Sequence, residues 1–414
     1  MGQLKSLEPQ RIGAVFRPPS SVTIRRAMRR LRGVPLPVRR AARLVIHVVY
    51  LPYTAKTKFL LISLAASVTL LGLAEAGGAL VSPAGADRQW AWNHHLVDNR
   101  EPSRISLALF QDPAGLIVLA VVLVTPIFCC QQVRAIADFV SMNERNGAAE
   151  RLTPRQIVQL DRLVDRTNTW FAALGRRDIS GAVAVAMAAG AAGLYAFVNN
   201  HGLMQTWNVT ALPDPVWRSE VYAGWWANLH THPELALALC AIGTYAFYFL
   251  AKQLAVGVIF AVYLKRSSAL GFGVTPNMNF DSDGFSGLRT LRQFMLWTYG
   301  SALSHMAGLL VLFTVWLPAA PWMLLAVVGV MVLDMLVIVY PSSIGYHFAL
   351  AVKQNHVKGL YESARPPAER DAEIAKVWSS PVLPVATRRA MTGITLYLLV
   401  PALLSLVPGL YARL

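Results

Sequence analysis

Seven apolar stretches punctuate the chain, at residues 59–80, 114–133, 179–198, 235–264, 294–317, 322–340 and 390–411. Each is long enough for a helix to cross about 30 Å of hydrocarbon. Polar and basic segments separate them. The pattern predicts an all-α, polytopic integral membrane protein with seven transmembrane helices. A basic region over 1–58 precedes a seven-span membrane domain over 59–414. Spans 5 and 6 are joined only by Pro318-Ala-Ala-Pro321, a tight antiparallel hairpin.

An odd number of spans places the termini on opposite sides, and the basic residues say which is which. Segments 1–58, 134–178, 265–293 and 341–389 hold 32 Lys and Arg, whereas the segments between them on the other side hold 5. The positive-inside rule puts the N-terminus in the cytoplasm and Leu414 outside. The net charge of +16 is then mostly topology, with attraction to anionic lipid added. Residues 23–32, TIRRAMRRLR, place Ile24, Met28 and Leu31 on one face and arginines around the rest. That is a basic amphipathic helix for the inner leaflet. Nucleic-acid contact by 25–43 is the alternative, but a basic run beside a span usually faces lipid. Residues 1–22 show little periodicity and read as flexible. Span 1 reads as an uncleaved signal-anchor.

The loop 134–178 contains a soluble-type helix. Thr153-Pro154-Arg155-Gln156 is a capping box with proline at the first helical position. Ile157, Leu160, Val164, Phe171 and Leu174 follow at helical spacing. Residues 344–361 continue span 6 past Pro341, and a charged helix resumes over 368–378 after Pro366-Pro367. These pieces predict a layer of amphipathic helices under the membrane, in which the capped helix packs on 344–361. Span 3 is rich in small residues (Gly181, Ala182, Gly190, Ala191, Ala192, Gly193), a composition suited to close packing on another helix.

Ionisable residues inside a span are costly and therefore candidates for function. They are Glu75, Lys252, His305 and Asp334. His305 and Asp334 lie at equal depth on the hairpin, about 18 Å from its outer end. A hydrogen-bonded pair there would serve as a proton relay, an ion point or a gate, or else as a polar clamp between helices. Lys252 reads as snorkelling to the inner interface, with Asp334 as the alternative partner. Glu75 sits near the outer end of span 1, among small residues.

The outer loops concentrate histidine and tryptophan. His94-His95 and His230-Thr-His232 have the donor chemistry of a Zn or Cu site. Trp90, Trp92, Trp207, Trp217, Trp225 and Trp226 read as an interfacial aromatic belt. The loop Asn279-Phe-Asp281-Ser-Asp283-Gly284 resembles the start of a calcium loop. Its twelfth position is Thr290, where a bidentate Glu is needed. Cys129, Cys130 and Cys240 all fall in spans and read as packing residues.

Pro276-x4-Asp281-x-Asp283-Gly284-x2-Gly287-Leu288, followed by Pro341-x2-Gly345-x-His347, Lys353 and Leu360, resembles a group of bacterial multi-pass membrane proteins. Their inner loop reads His-Pro-Asp-Gly-x-Gly-Gly-Leu and their later helix Pro-x-x-Gly-x-His. The resemblance covers 270–361. Here Asp281-Ser282 stands in place of the His-Pro, and Ser286 in place of the first Gly of the pair. It implies architecture and a bacterial inner-membrane location, and it nominates Asp283, Gly284, Gly287 and His347 as a cytoplasmic cluster.

Several classes are excluded. There is no P-loop, dinucleotide fingerprint, kinase set or His-Glu-x-x-His. Span 7 has no lysine for a retinal Schiff base. The leading reading is an oligomeric channel or transport-type protein. A sensor or scaffold that recruits a cytoplasmic partner is the alternative. A membrane metalloenzyme using the outer histidines comes third.

Overall fold

The computed structural model describes residues 7–8, 11–12, 15, 55–81, 107–145, 152–203, 219, 222–272, 289–312, 329, 332–333, 336, 343–344, 346–347, 350–351, 353–363 and 366–379. Among these every regular element is helical: α1 (Ala55–Ala76), a 3-10 turn (Leu109–Gln111), α2 (Pro113–Arg145), α3 (Pro154–Gly175), α4 (Arg177–His201), α5 (Pro233–Ala269), α6 (Arg289–Val311) and α7 (Pro367–Ser379). Four have the length and hydropathy of membrane spans: Lys56–Ala76, Ala114–Phe139, Arg177–His201 and Pro233–Ala269. They match the first four apolar stretches, and α6 covers most of the fifth. The stretches 322–340 and 390–411 lie outside the described residues except for positions 329, 332–333 and 336.

Boundaries shift for local reasons. The first stretch was expected to reach residue 80, yet α1 ends at Ala76. Gly78 takes φ +66° and the Ala79 amide reaches back to the Ala74 carbonyl at 2.8 Å. This left-handed glycine cap terminates the helix. At the other extreme α2 and α5 overrun their apolar cores, and α5 reaches 37 residues. At 1.5 Å per residue that is about 55 Å, longer than a bilayer core requires.

Helices α2 and α5 form the centre. The first touches α1, α5 and α6; the second touches α1, α2, α3 and α4. Apolar side chains gather in two clusters. One, at the end carrying α3, contains Phe59, Phe139, Phe171, Phe249, Phe260 and Phe294. Its rings meet edge to face, as in Phe139–Phe260 at 5.5 Å and Phe59–Phe249 at 4.9 Å, the geometry that their quadrupoles favour. The other, at the opposite end, is built round Trp225, Trp226, Leu235 and Leu109. Between them α2 and α6 approach closely at Gly300, where a Cβ would stand 2.9 Å from the Phe128 ring.

The capping box of α3 forms as expected. The Gln156 amide donates to Thr153 Oγ1, and the Thr153 amide donates to Gln156 Oε1 at 2.9 Å. Leu160, Val164 and Phe171 are buried, joined by Leu163, Thr167 and Asn168, while Ile157 and Leu174 are half-buried. The helix packs on α5 and α4. Ile344, at the start of the expected extension, packs against the same cluster.

Two expectations are corrected. The N-terminal segment read as flexible, but Leu7, Ile12 and Val15 are buried in the α3-end cluster. The Glu8 amide donates to Asn168 Oδ1 on α3 at 3.0 Å. These three apolar side chains join the cluster to which α3 and α5 also contribute, and their burial offsets the cost of ordering the backbone there. The small residues of span 3 were expected to pack tightly. Only Ala191, which lies near Gly243 of α5, does so; a Cβ on Gly181, Gly190 or Gly193 would meet nothing within 4 Å. With Val185 at 71% exposure, α4 turns an apolar face outward, as a lipid-facing or subunit-facing helix does.

Candidate functional site

On α6 the residues Thr298, Ser301, His305 and Gly308 follow one another at spacings of three and four, so they share a face. On α2 Thr125, Cys129 and Gln132 do the same. These faces meet, with α5 beside them. Gln132 Nε2 donates to Thr298 Oγ1 at 3.0 Å, Thr298 Oγ1 donates to the Phe294 carbonyl at 2.8 Å, and Ser301 Oγ donates to Gln253 Oε1. The Cys129 thiol lies 4.0 Å from that same amide oxygen. All are buried. The result is a polar seam inside the span region, where each unpaired polar group is expensive.

The seam is incompletely satisfied. Thr125 Oγ1, Gln132 Oε1 and both ring nitrogens of His305 have no hydrogen-bond partner among the described residues. Pro126, inside α2, has no N–H for the Val122 carbonyl, which leaves an acceptor free of its α-helical bond one turn above. Sequence reasoning considered only ionisable side chains and so missed Gln132, Gln253, Thr298 and Ser301. The spacing 298, 301, 305 was the signal available.

His305, only 5% exposed, and Gly308 open onto a cavity of about 120 Å³. It lies between α4, which packs on α5, and α6, which packs on α2. Valines of α2, Leu194 and Val198 of α4, and Phe247 and Leu250 of α5 complete its wall. The expected partner of His305, Asp334, lies outside the described residues.

Lys252 is corrected. It does not snorkel: its side chain is buried, with the residue 2% exposed. Nζ donates to the Val15 carbonyl at 2.8 Å and to Ser180 Oγ at 2.8 Å, and it sits 4.8 Å from the centre of the Tyr248 ring. The nearby N-terminal segment and the first turns of α4 supply the oxygens that water would have supplied. Glu75, near the end of α1, is exposed.

At the opposite end Asp112 is fully buried. Its Oδ1 accepts the Ala114 amide at 3.0 Å and so caps α2. Its Oδ2 accepts the indole N–H of Trp225 at 3.0 Å and of Trp226 at 2.9 Å. These two tryptophans are therefore core residues rather than part of an interfacial belt. Trp90, Trp92, Trp207 and Trp217 lie outside the described residues, as do His94 and His95. Asn228 Oδ1 accepts the His230 amide at 2.7 Å, which makes the His-x-His stretch a side-chain-stabilised turn. His230 is exposed, and His232 Nδ1 lies 3.9 Å from Glu234 Oε1. Among the described residues no group of three potential metal ligands converges.

Of the cytoplasmic cluster, Asp283, Gly284 and Gly287 lie outside the described residues, together with the calcium-like loop. His347 is helical and exposed, with its ring 5.8 Å from that of Tyr346. Lys353 and Leu360, seven residues apart, are both buried, and burial pushes the Lys353 ammonium below its ordinary pKa. Compared with protein-family models, curated proteins and solved structures, the chain matches none.

Proposed function

We propose that this is a transport-type integral membrane protein, a channel or carrier whose path follows the α2–α6 seam. The observation that carries the reading is the seam itself. Hydroxyl and imidazole groups from Thr298 to His305 extend about 10 Å along α6, and Thr125 Oγ1, Gln132 Oε1 and the His305 ring nitrogens keep hydrogen-bonding capacity that no described residue meets. A purely structural clamp would be satisfied by its own partners, because buried polar groups in proteins nearly always are. Groups that must exchange partners with a passing proton or small polar solute keep that capacity.

Three further elements belong to the proposal. The remaining apolar stretches make seven spans, the 32-to-5 distribution of basic residues supports a cytoplasmic N-terminus, and a bacterial inner membrane is what the resemblance over 270–361 implies. The exposed small-residue face of α4 supports a homo-oligomer formed through that helix, since small residues let helix backbones approach in lipid. The resemblance of 270–361 to the bacterial multi-pass group is in keeping with this proposal.

The test is flux through the full chain in proteoliposomes. A potassium-diffusion potential should drive proton entry above that of protein-free vesicles. Thr298→Val and His305→Ala should each cut it about tenfold, the scale of one lost hydrogen bond. Absence of protein-dependent flux of H⁺, Na⁺, K⁺ and Cl⁻ alike would sink the transport reading. It would favour the scaffold, for which burial of Leu7, Ile12 and Val15 beside α3 is the supporting observation.

A further inference from the structure

We infer that the N-terminal segment carrying Leu7, Ile12 and Val15 is a detachable strap, and that its docking fixes the start of α4 through Lys252. The strap is thin. Leu7, Ile12 and Val15 are buried, while Glu8 and Arg11 form a 2.6 Å ion pair whose side chains are 45–49% exposed. One turn shapes it: the Arg11 and Ile12 amides both donate to the Glu8 carbonyl, at 2.9 and 3.2 Å. Burial of three apolar side chains favours docking, and ordering the backbone of residues 7–15 opposes it with a term of similar size. Docked and released states therefore lie close in free energy.

Lys252 carries that choice to α4. Its Nζ holds the strap through the Val15 carbonyl and α4 through Ser180 Oγ, each at 2.8 Å. Ser180 Oγ in turn donates to the Leu174 carbonyl of α3 at 3.2 Å. One chain of bonds thus runs from the strap to the α3–α4 corner. When the strap leaves, the ammonium loses one of these two oxygens, and a buried cation needs a replacement for its hydration. Water enters where the half-exposed strap lay. The flexible lysine stem turns toward it, and the bond to Ser180 is lost along with the bond to Val15.

The packing of α4 makes it sensitive to that loss. Only Ala191 and Val198 are buried along its 25 residues. It packs on α5 and α3, and the cavity of about 120 Å³ lies between it and the α2–α6 pair, which leaves room for a small tilt. Its junction with α3 is Arg176 alone, extended at φ −65° and ψ 144°. Hinges are element-terminal residues of this kind, and helices with few buried contacts are the first to move. The inference goes beyond the transport reading and stands without it, because its test measures no flux.

The experiment is hydrogen–deuterium exchange on the full chain in lipid nanodiscs, with tryptic cleavage after Arg11 as the report on docking. Leu7→Ala combined with Ile12→Ala should release the strap and speed that cleavage. Amides of 181–186 should then exchange about tenfold faster, the scale of one lost hydrogen bond, while those of α2 stay unchanged. A synthetic peptide of residues 5–17, added in excess, should restore slow exchange in the variant, and the same peptide with both alanines should not. If the double variant does not fold, Ser180→Ala serves instead. It breaks the chain of bonds beyond Lys252, so exchange at 181–186 should rise while the strap stays docked. Unchanged cleavage in the double variant would show that the segment does not detach. Release of the strap with no change at 181–186, an equal rise in α2 and α4, failure of the peptide to protect, or an unaltered Ser180→Ala chain would each overturn the inference as well.

Discussion

Lys252 Nζ donates a 2.8 Å hydrogen bond to the carbonyl of Val15, 237 positions earlier in the chain. One ammonium thus ties the N-terminal segment to the middle of the longest helix, and its second bond, to Ser180 Oγ, brings in α4. Lys252→Met would leave both oxygens without this donor, at about 1–3 kcal/mol for a buried group left unsatisfied. The expected outcome is release of the segment, measured as faster tryptic cleavage after Arg11 at unchanged helix content. Identical cleavage rates would show that the apolar contacts of Leu7, Ile12 and Val15 hold the segment alone.

Asp112 joins the first turn of α2 to two indoles contributed from more than a hundred residues away. Asp112→Ala removes a helix cap, worth about 1 kcal/mol, and strands two buried N–H groups at about 1–3 kcal/mol each. We expect a clear fall in thermal stability with a red shift of tryptophan emission. Asp112→Asn, which keeps an acceptor oxygen, should lose markedly less. Equal losses for the two variants would show that shape rather than hydrogen bonding matters there.

Gly300 is the closest approach of α6 to α2. Ordinarily Gly→Ala in a helix is stabilising, but here the new methyl would stand 2.9 Å from Phe128. Gly300→Ala should therefore destabilise by about 1–3 kcal/mol, the usual cost of overpacking. Phe128→Leu in the same chain should recover much of it. A stabilising Gly300→Ala would mean that the two helices separate freely.

The proposed orientation is open to a reporter test. A C-terminal phosphatase fusion should be active and a C-terminal fluorescent-protein fusion dark, because Leu414 is expected outside. The reverse result would overturn this combination of seven spans and a cytoplasmic N-terminus.

Much of the architecture was legible in the sequence. Length and hydropathy announced the four long helices, since a chain segment in hydrocarbon must satisfy its own backbone. Thr153 and Gln156 announced the start of α3, because a capping box is a local structure made by residues three apart. Even the seam was half-written: Thr298, Ser301 and His305 fall on one face whatever that face meets. Which face meets which was not in any local pattern. Helical spacing orders residues round one axis and is silent about the neighbouring axis, so Gln132 with Thr298, and Gln253 with Ser301, emerged only from the packing of α2 and α5 against α6. Trp225 and Trp226 looked like interfacial anchors because tryptophan suits an interface; Asp112, fixed by the cap of α2, drew both indoles into the core. Lys252 looked destined for water because lysine usually reaches it. Tertiary packing brought the Val15 carbonyl and the Ser180 hydroxyl to it, and a buried ammonium stays buried where oxygens replace its hydration.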